Sequence, residues 1–236
     1  MINTLLSIIA PHYCYSCGES GSILCSRCKN DITEEPFSHC LICLKPSHHD
    51  NICQHHSLPY SHLWCVDWRS GEIEMAIDSL KFKRAKSAAS DLADLLDFRL
   101  PDFSDPPLVV PIPTTSRNIR IRGYDHMKLI AKSLAKKRGW RTEPLIARQN
   151  NTTQHFARSA SERRKQAATF FRLRTGVKIN SSAHYLIVDD IFTTGSTVAA
   201  AANCLKRAGA AKISVAVLAR QRPKGSSIDD DTVIRG

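Results

Sequence analysis

Two carboxylates and a hydroxyl-rich loop lie next to each other near the end of the chain. Asp189 and Asp190 follow an unbroken apolar run at residues 185–188, which predicts a strand buried on both faces. Residues 193–197 read Thr-Thr-Gly-Ser-Thr, and a strong helix former follows at residues 198–208. Backbone N–H groups at a helix start and hydroxyl side chains donate to phosphate, whereas carboxylates accept from sugar hydroxyls. The stretch therefore predicts a site for a sugar phosphate at the carboxyl end of a strand.

This order of residues resembles the phosphoribosyl pyrophosphate (PRPP) motif of type I phosphoribosyltransferases. In that motif an apolar strand is followed by two acidic residues, a short apolar and small stretch, and Thr-Gly-x-Thr, and residues 185–197 match it throughout. We expect Asp189 and Asp190 to hold the ribose hydroxyls and the loop to hold the 5′-phosphate. The loop residues are Thr193, Thr194, Gly195, Ser196 and Thr197. An ordinary strand, turn and helix with a solvated acidic pair is the simpler alternative, and the missing Gly-Lys pair excludes a Walker loop.

A second candidate anion-binding loop follows a strand predicted at residues 108–113. Residues 114–126 are polar and basic, and their candidate ligands are Arg117, Arg120, Arg122 and Gly123. Because guanidinium groups bind phosphate oxygens in a bidentate manner, this loop is predicted to hold the pyrophosphate of PRPP. Transfer of the ribose usually needs magnesium on the departing pyrophosphate, so Mg²⁺ is expected together with PRPP. No residue identifies an acceptor base, and no catalytic residue is assigned.

Cysteines crowd the first 65 residues, because only Cys204 of the nine in the chain lies beyond them. In a chain without a recognisable secretion signal, Cys-x-x-Cys spacing predicts thiolate ligation of zinc and not disulfides. The first predicted tetrahedral site consists of Cys14, Cys17, Cys25 and Cys28. The second consists of Cys40, Cys43, Cys53 and His56, with His56 in the place of a fourth cysteine. Ligation by His55, a second site without metal, and interleaved pairing of the first and third knuckles are the alternatives.

The composition divides the chain into three predicted segments. Residues 1–65 form a small Cys-rich module of double zinc ribbon type, in which zinc replaces a hydrophobic core. Residues 66–222 form an α/β domain with a central parallel sheet, like type I phosphoribosyltransferases, and residues 223–236 form a disordered tail. Residues 148–169 occupy the position of the mobile loop that closes over PRPP in those enzymes. A solvated basic linker is the alternative for that segment.

Over residues 1–221 the order of motifs resembles the ComF family, which is linked to DNA uptake and competence. After the cysteine knuckles, the shared motifs are Lys81-Phe82-Lys83, Val110-Pro111-Ile112-Pro113, Arg122-Gly123-Tyr124, Thr153-Gln154, Arg163, Phe170 and Asp189-Asp190. The chain departs from the family pattern at three places. Tyr124-Asp125-His126 stands where Phe-Asn-Gln is usual, Gln166 where Asn is usual, and His56 where Cys is expected.

The charge balance favours a polyanionic partner. The formal net charge is +11, from 33 Lys and Arg against 22 Asp and Glu, although a basic surface that only keeps the protein in solution is the alternative. No apolar run reaches the length of a membrane span, and residues 1–10 are predicted as a short apolar helix and not a signal peptide, which implies a cytoplasmic protein.

Together with the ComF resemblance, these features favour a DNA-uptake factor for natural transformation that binds PRPP and zinc. Its expected partners are PRPP, incoming single-stranded DNA, and other DNA-uptake or recombination proteins. Two other functions are kept open: an active phosphoribosyltransferase of nucleotide salvage, and a PRPP-sensing scaffold without catalysis.

Overall fold

Four parallel strands form the main sheet of the described residues, and helices pack on it. The computed structural model describes residues 12–47, 51–83, 85–149 and 170–223. The strands in chain order are β1 (His62–Trp68), β2 (Leu108–Pro111), β3 (Ile146–Arg148), β4 (Phe171–Leu173), β5 (His184–Phe192) and β6 (Lys212–Arg220). The sheet has the order β1-β6-β5-β2, while β3 and β4 form a separate antiparallel pair. All pairings in the larger sheet are parallel.

Helices cover both faces of this sheet. They are α1 (Ser26–Thr33), α2 (Gly71–Phe82), α3 (Ala88–Arg99), α4 (Ser116–Arg122), α5 (His126–Arg138) and α6 (Ser196–Arg207). Alternate residues of β5 serve the two faces: Leu186 and Val188 pack with α2, α3 and α5, whereas Tyr185 and Ile187 pack with α6. The apolar run of β5 is therefore buried on both sides, and the predicted α/β class with a central parallel sheet is confirmed. None of the helices in the described ranges is long and apolar enough to cross a membrane.

One predicted loop contains a helix. Residues 114–126 were expected to be irregular, but α4 forms within them because both of its ends are capped. The Thr115 side chain accepts a hydrogen bond from the backbone N–H of Asn118 at 3.3 Å. Gly123 then ends the helix in the left-handed conformation, with φ of 82°, and its N–H donates to the carbonyl of Ile119.

The cysteine-rich segment shares its core with the sheet. Ile23 and Leu24 are fully buried among residues of α2 and α3, and Phe37 and Leu41 are buried on the opposite face. The predicted boundary after residue 65 falls inside β1, whose residues pair with β6. The three-segment division otherwise stays a prediction. The predicted N-terminal helix, most of the predicted mobile loop, Gln166 and nearly all of the predicted tail lie outside the described residues.

A buried ion pair joins α1 to α3. The Lys29 Nζ lies 3.1 Å from Asp91 Oδ1 and 2.6 Å from Asp94 Oδ2. Asp91 Oδ2 also accepts from the backbone N–H groups of Ile23 at 3.2 Å and Leu24 at 3.4 Å. Since Lys29 and Asp91 are both buried, each charge is tolerated only because the other neutralises it. This cluster holds the cysteine-rich segment against α3, which packs on α2 and α5.

Replacing Asp91 by Ala tests this attachment. The change leaves the Lys29 ammonium with only one carboxylate and two buried N–H groups without their acceptor, so the free energy of unfolding should fall by about 3 kcal/mol. Urea denaturation measures this loss. Glu143→Ala, which breaks an exposed pair with Arg141, is the control and should cost less than about 0.5 kcal/mol. Equal effects of the two changes would contradict the account.

Candidate functional site

A cavity of about 170 Å³ lies where β2 and β5 end, and both predicted carboxylates line it. The other charged or polar side chains in its wall are Lys81, Thr114, Thr115, Asn118, Arg122, His126 and Arg148. Arg122, predicted as a pyrophosphate ligand, is therefore brought to Asp189 and Asp190. Arg117 and Arg120 are exposed on α4 and are not part of the described wall. The sequence did not reveal this difference, because the helical phase of α4 was not predicted.

Asp190 is the centre of a polar network in this cavity. Its Oδ2 lies 2.7 Å from the Lys81 Nζ and 2.6 Å from the His126 Nε2. The His126 Nδ1 lies 3.0 Å from Nη1 of Arg122 and 3.1 Å from Oγ1 of Thr114. A guanidinium can only donate and an ionised carboxylate can only accept, so these partners place the imidazole proton on Nε2. Arg122, His126 and Asp190 thus form a directed chain of hydrogen bonds.

The two adjacent carboxylates differ in charge. Burial alone would raise the pKa of Asp190, but the hydrogen bond from His126 and the charge of Lys81 hold it below its ordinary value. Burial, with the Asp190 charge acting in the same direction, raises the pKa of Asp189 to about 8. Near neutral pH, Asp190 is therefore an acceptor only, and Asp189 is largely protonated and can also donate. The hydroxyls of a vicinal diol both donate and accept, so the pair is complementary to them.

The predicted phosphate loop follows at the same end of β5. The side chains of Thr193, Thr194 and Ser196 are exposed, and Gly195 precedes the first turn of α6. The backbone N–H groups of that turn and the loop hydroxyls are donors of the kind that bind a phosphate. None of the loop residues belongs to the described wall of the cavity, so the loop lies outside it, at the same end of β5 as the carboxylates.

Gly195 is required for a reason that the sequence did not give. A Cβ at this position would lie 2.5 Å from Cζ of the Phe192 ring. Its φ of 76° is also a conformation that other residues adopt with strain. A bulky residue at Gly195 would disturb the loop itself, so this change does not test phosphate binding.

Arg220 anchors the same loop. Its guanidinium donates to the carbonyls of Phe192, Thr193 and Gln221, and it lies 5.4 Å from the centroid of the Phe192 ring. Arg220 is buried at the end of β6. Four site residues were thus missed from the sequence. Lys81, His126 and Arg148 stood in segments already noted in the sequence, whereas Arg220 carried no signal beyond its position at the end of a strand.

The cysteine-rich segment contains two compact groups of metal-binding side chains. The ligand atoms of Cys14, Cys17, Cys25 and Cys28 lie within 4.8 Å of one another, and those of Cys40, Cys43, Cys53 and His56 do the same. The sequence predicted these groupings. In each group two sulfurs lie 3.6 Å apart, close to the separation of about 3.8 Å between thiolates on a tetrahedral zinc ion. Either group could hold a metal ion.

His56 fits a ligand role in the second group. Its Nε2 is buried and has no hydrogen-bond partner among the described residues. Burial raises the pKa of the Cys40 thiol, but backbone N–H donors outweigh it and lower the pKa to about 6. Burial and neighbouring thiols raise the pKa of Cys53 to about 11, a penalty that a bound cation would remove. Three thiols and an unpartnered imidazole are a donor set that suits Zn²⁺.

Comparisons with known proteins identify the domain that contains Asp189 and Asp190 and the family of the chain. Residues 145–235 match the family described as "Phosphoribosyl transferase domain". The chain is 30% identical over 223 residues to the DNA utilization protein YhgH of Escherichia coli O157:H7, which covers 84% of this chain and 96% of that protein. It is also 25% identical to competence protein F of Haemophilus influenzae, covering 84% of this chain and 90% of that protein. The chain belongs to the ComF family.

The ComF assignment predicted from the order of motifs is thereby confirmed. Among solved structures, an allosteric regulatory enzyme of purine biosynthesis aligns with a TM-score of 0.41 at 19% identity, covering 60% of this chain and 30% of that one. This score is too low to support an argument. The fold assignment therefore rests on the parallel sheet and on the matched domain.

Residues 124–126 depart from the ComF pattern, but the hydrogen bonds of Asp125 and His126 are ones that the usual residues could also form. A glutamine in place of His126 could also donate to Asp190 with its amide and accept from Arg122 with its carbonyl. Asp125 caps α5 by accepting from the backbone N–H of Lys128 at 3.3 Å, as an asparagine would. The Tyr124 hydroxyl, absent from phenylalanine, donates to the carbonyl of Leu80.

The raised pKa of Asp189 predicts how stability depends on pH. In the unfolded chain this carboxyl titrates near 3.8, so between that value and about 8 the folded state holds a proton that unfolding releases. The free energy of unfolding should therefore fall as pH rises through this window, and the Asp189→Asn variant should lose this part of the dependence. Thermal unfolding at about pH 5 and about pH 8 measures the difference. Asp31→Asn, an exposed change, is the control, and a variant at Asp189 with the slope of wild type would contradict the assignment.

Proposed function

We propose that this ComF-family protein binds PRPP in the cytoplasm, carries two structural zinc ions, and acts on or near incoming single-stranded DNA in natural transformation. The observation that carries the PRPP part is the pair of adjacent carboxylates at the end of β5, which line one cavity with Lys81, Arg122 and Arg148. Asp189 and Asp190 together offer a donor and acceptors at the end of β5, beside basic side chains and an exposed hydroxyl-rich loop. PRPP has a diol between a pyrophosphate and a 5′-phosphate. The carboxylates match the diol, and the basic side chains and the loop match the two phosphorylated positions.

Each part of PRPP has a proposed partner. The ribose hydroxyls bind Asp189 and Asp190, and the 5′-phosphate binds residues 193–197 with the first turn of α6. The pyrophosphate binds Arg122 and Arg148, which line the cavity, in place of the exposed Arg117 and Arg120. Gly123 contributes by ending α4, which sets the position of Arg122. Magnesium would enter with PRPP and neutralise part of the pyrophosphate charge.

The zinc proposal rests on closed, four-ligand groups. Each group uses all its donors for the ion and leaves no position for a substrate, which is the pattern of a structural site. Thiols that must stay reduced to bind zinc suit the cytoplasm, which supports the proposed location. The described cysteines are all free of disulfides.

The DNA part rests on the relatives and on charge. The similar proteins carry the names DNA utilization protein and competence protein F, and the net charge of +11 favours a polyanion. Other DNA-uptake or recombination proteins would deliver or receive the strand. A non-catalytic PRPP sensor fits the same binding site and differs only in that PRPP stays intact.

An active phosphoribosyltransferase is the second candidate, and a second cavity favours it. This cavity, of about 410 Å³, shares Pro113, Thr114, Thr115 and Arg148 with the first and so lies next to the proposed PRPP. It offers space for an acceptor. Incubation with PRPP, magnesium and either free bases or single-stranded DNA separates the candidates, because only transfer joins the 5-phosphoribosyl group to the acceptor while pyrophosphate leaves.

Paired asparagine variants test PRPP binding. Asp190→Asn removes the charged acceptor, so calorimetry with PRPP and magnesium should show affinity about tenfold or more below wild type. Asp189→Asn replaces a group that is already neutral at pH 7 and should change affinity by less than about threefold. Equal losses in the two variants would contradict the unequal pair.

Variants at His126 provide the matched control. His126→Gln keeps one donor and one acceptor and should retain PRPP affinity within about threefold, whereas His126→Ala breaks the link to Arg122 and should weaken it about tenfold. Zinc content and circular dichroism confirm that each variant is folded. If the glutamine and alanine variants bind PRPP equally, the hydrogen-bond chain does not support the site.

Elemental analysis tests the metal proposal. The purified protein should contain two zinc ions per chain, and the double change Cys40→Ser with Cys43→Ser should leave one. Cys14→Ser should lose the other ion and unfold the segment, since that group closes the turn before the buried Ile23 and Leu24. A wild-type protein without zinc would overturn the proposal, and a single ion per chain that the Cys40→Ser/Cys43→Ser variant keeps would exclude the site that contains His56.

A further inference from the structure

The two groups of metal-binding side chains are built on one repeated backbone pattern. In each group the N–H of the first cysteine donates to a carbonyl five residues later at 2.8 Å, and the N–H of the residue four positions after that cysteine donates back to the cysteine's carbonyl at 2.9 Å. The N–H of the third cysteine then donates to the sulfur of the first at 3.4 Å. The first and third cysteines are Cys14 and Cys25 in one group, and Cys40 and Cys53 in the other. The two groups are therefore two copies of one metal-binding unit.

Solvent reaches the first three ligands of the two copies in the same way. The first ligand is buried, the second is exposed and the third is half-buried, which holds for Cys14, Cys17 and Cys25 and equally for Cys40, Cys43 and Cys53. The sulfurs of the second and third ligands are 3.6 Å apart in both copies. A difference between the copies in how firmly they hold a metal ion must therefore come from the residues at which they differ.

The copies differ at the residue that follows the second cysteine. Gly18 follows Cys17 with a φ of 75°, and Leu44 follows Cys43 with a φ of 61°. Glycine adopts this left-handed conformation freely, whereas the Cβ of a leucine there crowds the following carbonyl oxygen. Within the described ranges Leu44 is the one residue other than glycine that has a positive φ. The second copy thus holds its ligands with a backbone strain that the first copy lacks.

The copies also differ in their fourth ligand. Cys28 would bind Zn²⁺ as a thiolate, whereas His56 would bind it as a neutral imidazole, so the second copy presents three negative charges to the ion where the first presents four. Cys28 is buried and lies in α1, which the ion pair of Lys29 anchors, whereas His56 is half-buried and lies outside any helix or strand. Both differences weaken the hold of the second copy on its ion.

We propose that the first cysteine group holds a permanent zinc ion, whereas the second is an exchangeable zinc site that releases its ion first when zinc is scarce. The inference rests on the proposed function, which places zinc in both groups, and it gives the two ions different roles. Release of the ion frees the backbone around Leu44 to leave the left-handed conformation, and binding must restore it. The strain is therefore subtracted from the zinc affinity of the second copy alone.

Titration of the wild-type protein with the chromogenic chelator 4-(2-pyridylazo)resorcinol measures this difference. The two ions should leave in two steps, whose affinities differ by at least about fivefold. Thiols freed by the chelator react with iodoacetamide, so peptide mass spectrometry identifies the copy that opens first. Cys43 and Cys53 should be modified before Cys17 and Cys25, and their matched exposure means that the order reports release of the ion and not access. The opposite order would overturn the proposal.

Variants at Leu44 and Gly18 test the cause. Leu44→Gly removes the strain and should raise the zinc affinity of the second copy about fivefold, and Leu44→Asn should act in the same direction because asparagine tolerates the left-handed conformation. Leu44→Ala keeps the Cβ and is the control, which should leave the affinity unchanged. Gly18→Leu should weaken the first copy by a similar factor, and a Cβ at Gly18 meets no atom within 4 Å, so the effect would come from the backbone and not from a clash. Equal zinc affinities of Leu44→Gly and Leu44→Ala would overturn the role of the strain.

The outcomes separate this inference from the proposed function. If wild type contains no zinc, the metal part of the proposed function fails, and the exchangeable site fails with it. If wild type contains two ions that leave in one step, or if the first group opens before the second, the proposed function stands and only the exchange is overturned. A second group that takes up no zinc even when zinc is added would overturn both the second site and its exchange. Two steps that merge in Leu44→Gly and stay apart in Leu44→Ala are the result that the proposal predicts.

Discussion

The charge on Asp190 is the constraint around which the candidate site is arranged. Two carboxylates at the end of a strand buried on both faces cannot both be ionised without a cation nearby. Lys81 and His126, from different helices, both contact the same oxygen of Asp190, so this carboxylate stays charged while Asp189 becomes largely neutral. The positions of α2 and α5 on one face of the sheet follow from the need to bring these two side chains to β5.

The opposite side of the same strand depends on a different anchor. Arg220 holds the backbone that leads into the phosphate loop, and its neighbour in the sheet is Trp68 of β1. The Trp68 ring packs 5.0 Å from Phe37 and 5.8 Å from His39, which directly precedes Cys40. The second cysteine group and the phosphate loop are therefore connected through packed side chains. We infer that the cysteine-rich segment supports the loop in addition to closing its own turns.

Much of this arrangement could be predicted because it is local in sequence. The apolar run before Asp189, the alanine-rich helix after Gly195 and the Cys-x-x-Cys pairs each specify their structure within a few residues. The partners of Asp190 could not be predicted in this way, since Lys81 and His126 are distant in the chain and meet only when helices pack on the sheet. The same holds for Asp91. In the sequence it has the pattern of an exposed helix residue, and only the folded structure brings Lys29 against it. The helical phase of α4 decided which arginine faces the cavity, and short capped helices give little periodic signal.

Calorimetric titration of the wild-type protein with PRPP, ribose 5-phosphate and pyrophosphate, each with magnesium, tests the central claim most directly. In the proposed site the carboxylates and the loop hold the sugar phosphate and the basic side chains hold the pyrophosphate, so PRPP should bind at least about tenfold more tightly than either half. Ribose 5-phosphate should bind measurably alone. Absence of PRPP binding, or pyrophosphate alone binding as tightly as PRPP, would contradict the assignment of Asp189 and Asp190 to the ribose.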